Sequence, residues 1–101
     1  MTTTNVLLAA KARLTSETWG KGHNVGVGRS ECVMSALGYV VGIPIQTPAY
    51  PLLSICALGH PHGPIYKWND APERTFADVH ALFDAAIAIA QEQEQAAKVF
   101  V

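Results

Sequence analysis

The run from Thr75 to Ala90 constrains the fold of this chain more than any other stretch. Phe76, Val79, His80, Phe83, Ala86, Ile87 and Ala90 recur at steps of three and four, which puts them on one face of an α-helix. Thr75 with Asp78 three residues on has the form of a capping box, with Asp in place of the usual Glu. A stripe of this kind has to pack on something, because an isolated helix is marginal in water. A chain of 101 residues is long enough for one modest core and too short for two. The expectation is a single domain over residues 1–101, with the last helix packed across the second. The QEQEQ run beyond Ala90 reads as a solvated end, and Ala96, Val99, Phe100 and Val101 as an apolar terminus that needs cover from this chain or another.

Working back from that helix, three more are expected. The first runs from about Thr4 to Thr18, capped by a nearby Thr or Asn, with Leu7, Ala10 and Leu14 at helical spacing, and Gly20 stops it. The second starts at Ser30 as N-cap and turns Cys32, Val33, Ala36, Leu37, Val40 and Val41 inward before Gly42 and Pro44 end it. The third opens at Thr47-Pro48, a cap followed by proline at the first helical position, and runs through Tyr50, Leu52, Leu53, Cys56 and Ala57 to Gly59. Between the first two, GKGHNVGVG from Gly20 to Gly28 cannot hold a helix and suits a loop or a short hairpin. The fold class is therefore mainly α: a compact four-helix single domain, with room for a short β-hairpin in the glycine-rich loop.

Charge and cysteine usage narrow the function classes. Half the residues are hydrophobic, 15% are charged and the net charge is -1, so little repulsion keeps copies apart and a homo-oligomer is expected. The first third is mildly basic, through Lys11, Arg13, Lys21 and Arg29 against Glu17 and Glu31. That excess is too small and too scattered for phosphate binding, so nucleic acid ranks last among the partners. Pro44, Gln46, Pro48 and Pro51 interrupt the apolar stretch from Cys32 to Leu58, leaving no run of about 20 apolar residues to span a bilayer. No membrane association is expected. The N-terminus has no basic region followed by an apolar run and cleavage site, so Cys32 and Cys56 read as buried reduced thiols of a cytoplasmic protein.

Few residues point to chemistry. His60 and His62 flank Pro61 in a glycine-bounded loop, and His23 and His80 complete the histidines. Neither C-x-x-C nor H-x-x-x-H occurs, so these read as loop histidines, with no metal, no cofactor and folding that is independent of metal. Cys32 near a helix N-terminus would gain the lowered thiol pKa of such a position, which keeps a small thiol- or His-dependent hydrolase as the alternative function. The glycines of 20–28 match neither phosphate-cradling fingerprint, and no residue is assigned a catalytic role.

The densest stretch, GHPHGPIYKWNDAPERT from Gly59 to Thr75, has a structural reading. A turn carrying Pro61, Pro64 and Pro72 cannot satisfy its backbone through helix or sheet ladders, so side chains must supply the bonds. Trp68, Asn69, Asp70, Arg74 and Thr75 are accordingly expected to form a structural clasp, with a recognition surface as the competing role. In that clasp Trp68 anchors over the core, Asn69 and Asp70 bond local backbone, Arg74 reaches an acid such as Asp70, and Thr75 caps the last helix.

The order of these features resembles a family of small uncharacterised proteins from actinobacteria and their phages. The resemblance is carried by Trp19-Gly20, the glycine-rich loop, Cys32-x-x-x-Ala36-Leu37, then Trp68-Asn69-Asp70-x-Pro72-x-Arg74-Thr75 with Asp78-Val79 and a closing Ala-rich helix. Ser35 stands where that family favours glycine. The family has no assigned catalytic residues. What the resemblance implies is a small, cytoplasmic, non-enzymatic interaction protein, an actinobacteriophage accessory product that acts by binding a host protein.

Overall fold

Thr2 launches the first helix: its side chain accepts from Asn5 N at 3.0 Å and satisfies one of the unpaired first-turn amides. A computed structural model of the chain describes residues 1–21 and 31–99. Five α-helices follow one another among these residues: α1 (Thr3–Arg13), α2 (Val33–Val41), α3 (Ala49–Leu58), α4 (Ile65–Asp70) and α5 (Phe76–Val99). A 3-10 turn, Pro44–Gln46, links α2 to α3. No strand forms among the described residues, and the fold is mainly α around one core. The expected glycine-loop hairpin, His23, the Ser30 cap, Phe100 and Val101 lie outside the described residues.

The four expected helices are all present, with shifted ends. Helix α1 stops at Arg13, before Thr18, because threonine side chains capture its last turn: Thr18 Oγ1 donates to Arg13 O at 3.0 Å, and Thr15 N donates to Thr18 Oγ1 at 2.8 Å. Helix α2 is capped by Cys32, two residues after the position expected. Cys32 Sγ accepts from Ser35 N at 3.3 Å and Ser35 Oγ accepts from Cys32 N at 2.8 Å, so Ser35 supplies a bond that a glycine there could not. Before α3, Thr47 Oγ1 accepts from Ala49 N at 3.3 Å, so the expected Thr47-Pro48 start is one residue off in register only. Helix α4 was not expected. Its six residues are too few to show a period, and it ends at Ala71, which Pro72 forces into an extended conformation with ψ 137°.

The packing corrects one expectation. Helix α5 lies against α1 and α3, while α2 packs on α1 and α4. Helices α1 and α3 occupy the face of α5 that α2 was expected to cover, so α2 reaches the core through α1 and α4 instead. The antiparallel α1–α5 pair is tied at both ends: Lys11 Nζ meets Asp84 Oδ1 at 2.6 Å, and Glu94 accepts from Thr4 N (3.1 Å) and Thr4 Oγ1 (2.8 Å). Glu94, from the expected solvated end, thus serves the amide-rich N-terminus of α1. Between the helices, Leu7, Leu14, Val33, Leu37, Leu53, Ile65, Val79 and Phe83 are buried in one cluster. Each such side chain contributes about 1.5–3 kcal/mol of transfer free energy.

The histidine turn between α3 and α4 is held from below. Gly59 takes a left-handed conformation, φ 83°, at the end of α3. Ser54, fully buried, donates to His60 O and accepts from Gly63 N at 2.8 Å, and the Tyr50 hydroxyl donates to Gly63 O at 2.6 Å. A Cβ on Gly63 would come within 2.4 Å of Leu58 Cδ1 and 2.9 Å of His60 Cε1, so a larger residue there would require those two side-chain ends to shift. His60 and His62 themselves are exposed.

Candidate functional site

Asn69 is the most informative polar residue of the chain, because it is completely buried at the end of a six-residue helix. Its Oδ1 accepts from Trp19 Nε1 at 2.8 Å and from Val33 N at 3.2 Å. Its Nδ2 donates to Gly20 O at 3.0 Å and to Asp70 Oδ1 at 3.1 Å. Both donors and both acceptor positions are used, as a buried amide requires. Val33 N is the first amide of α2, which has no partner within its own helix. Asn69 therefore caps α2 from a distance, whereas its expected bonds were local.

The segments that Asn69 joins are braced around it. Trp19 and Glu31 form a parallel bridge, with Gly20 N donating to Glu31 O (2.9 Å) and Glu31 N to Thr18 O (2.6 Å). Arg13 forks onto the Glu31 carboxylate, its Nε at 3.0 Å from Oε2 and its second nitrogen on Oε1, and its guanidinium lies 3.3 Å over the Tyr39 ring. Lys21 Nζ donates to Ala71 O (2.9 Å) and Pro72 O (3.2 Å). Trp19 leans on Phe76, whose ring meets that of His80 at a tilt of 54° with centroids 4.4 Å apart.

Trp68, Arg74 and Thr75 form a second cluster, joined through Trp68 and Asp78. Trp68 is half-buried against the core, and the Arg74 guanidinium sits 3.9 Å over its ring while Nε donates to Trp68 O at 2.8 Å. Arg74 Nη1 lies 3.8 Å from Asp78 Oδ2, one turn further along the chain. Thr75 N donates to Asp78 Oδ2 (2.9 Å) and Asp78 N to Thr75 Oγ1 (3.2 Å), the reciprocal capping box expected from the sequence. The Thr75 amide, then the Thr75 hydroxyl and the nearby Arg74 charge, hold the Asp78 carboxyl below its usual range.

A cleft of about 230 Å³ opens here, lined by Cys56, Trp68, Arg74, Asp78, Ala81, Leu82 and Ala85. Burial pushes the Cys56 thiol up, away from the thiolate that a nucleophile needs. Among the described residues no imidazole lines the cleft, and Cys32 is occupied as a helix cap. Among the described residues, no three His, Cys, Asp or Glu side chains come together as a metal-binding group. No helix among them is long and apolar enough to cross a membrane.

A different surface stands out along the stretch that sequence reasoning read as the second and third helices and the proline-rich turns beside them. From Cys32 to Tyr66 the chain has no Asp, Glu, Lys or Arg, and all seven basic and eight acidic residues fall outside this stretch. Along it Tyr39, Ile43, Ile45, Ile55 and Tyr66 are exposed. Two hollows flank the 3-10 turn: one of about 520 Å³, lined by Met1, Val6, Val41, Gly42, Ile43, Gln46 and Thr47, and one of about 320 Å³, lined by Ile45, Tyr50, Pro51 and His62. The signal was readable as a gap in charge; averaging over the whole chain hid it.

No curated protein and no solved structure matches this chain. A family model does, over residues 1–89, a span that takes in Asn69, its four partners and the uncharged stretch and stops within α5 one residue before Ala90, the last core position. By that match the chain belongs to the family of unknown function DUF6197.

Proposed function

We propose that this protein is a small non-enzymatic interaction module that works through the uncharged surface of residues 32–66. The observation that carries the reading is the coincidence of that charge gap with exposed Ile43, Ile45 and Ile55. Depletion of charge with retention of large apolar and aromatic side chains is the compositional mark of an interface core, and apolar groups clustered at the surface mark contact sites. In this reading the protein is cytoplasmic, self-associates, and binds a host protein as an actinobacteriophage accessory product. The resemblance set out above supports that source.

Trp68, Asn69, Asp70, Arg74 and Thr75 act in this account as the clasp that holds the fold, and recognition falls to the uncharged surface. Affinity capture of the tagged protein from an actinobacterial lysate, followed by mass spectrometry, tests the division. A partner retained by Trp68→Ala and lost by Ile43→Asp supports it. A partner lost by Trp68→Ala and Thr75→Ala, with both variants as stable as the wild type, makes the clasp a recognition surface instead.

A further inference from the structure

We draw no further inference here: the strongest candidate, the cleft of about 230 Å³ between α3, α4 and α5 lined by Cys56, Trp68, Arg74 and Asp78, carries nothing because Arg74 is held by Trp68 and Asp78, Asp78 caps α5 through Thr75, and nothing in the structure shows what ligand would fill the space beside a lone thiol.

Discussion

Asn69 and Ile45 depart from the ordinary inside-outside rule in opposite directions. One is a polar side chain with no solvent exposure, the other an apolar side chain 68% exposed. Exceptions of both kinds carry more information than the many residues that obey. Asn69 is chemically closed: every donor and acceptor is spent on Trp19, Gly20, Val33 and Asp70, and nothing is left over to offer a ligand. Ile45 is open, on a turn beside a hollow and inside a stretch without charge. The difference separates the part of the molecule that makes the fold from the part available to bind.

The comparison breaks first if Asn69 proves dispensable. Asn69→Leu keeps the volume but strands Trp19 Nε1, Val33 N and Gly20 O, and each buried polar group left unpaired costs about 1–3 kcal/mol. With relaxation admitting water to some of them, a loss of about 3 kcal/mol is expected, a drop in melting temperature of roughly 12–24 °C for a domain this size. Trp68→Ala comes next. Its ring is half-buried, so the cost should fall below the full core value, near 2 kcal/mol by thermal melt, and should be accompanied by loss of Arg74 order. Thr75→Ala removes the helix cap and should cost about 1 kcal/mol.

The smallest effect sharpens the comparison through pH. The Thr4 amide and hydroxyl hold the Glu94 carboxyl below its usual range, as Thr75 does for Asp78. A folded-state pKa below the unfolded value contributes stability that is present above the unfolded pKa and lost as pH falls through the folded one. Both groups are at the surface, so the melting temperature should decline gently below the ordinary carboxylate range. Asn69 has no titratable proton and contributes nothing to that slope. Thr4→Val and Asp78→Asn should each flatten it.

Much of the fold was legible because helix periods and caps are local. The stripe from Phe76 to Ala90 and the Thr75–Asp78 box needed only residues a few places apart, and both are where the sequence puts them. The Cys32–Ser35 box is local too, but a thiol acceptor is not an ordinary cap, so Ser30 looked the better start. Non-local bonds were not legible. Asn69 sits before Pro72 and a capped helix, and short polar residues there ordinarily bond nearby backbone; no sequence pattern links it to Trp19 and Val33, 50 and 36 residues away. The neighbours of α5 were misjudged for a related reason. Hydrophobicity identified α2 as a central helix but said nothing about which helices it would meet, and α1 and α3 take the α5 face instead.

The division between a closed hub and an open surface is tested most directly by equilibrium urea unfolding of Asn69→Leu beside Ile45→Asp, at a protein concentration low enough that self-association adds nothing to apparent stability. The account predicts a loss of about 3 kcal/mol for the first and a change within about 0.5 kcal/mol for the second. A wild-type midpoint for Asn69→Leu, or an Ile45→Asp loss as large as that of Asn69→Leu, would contradict it.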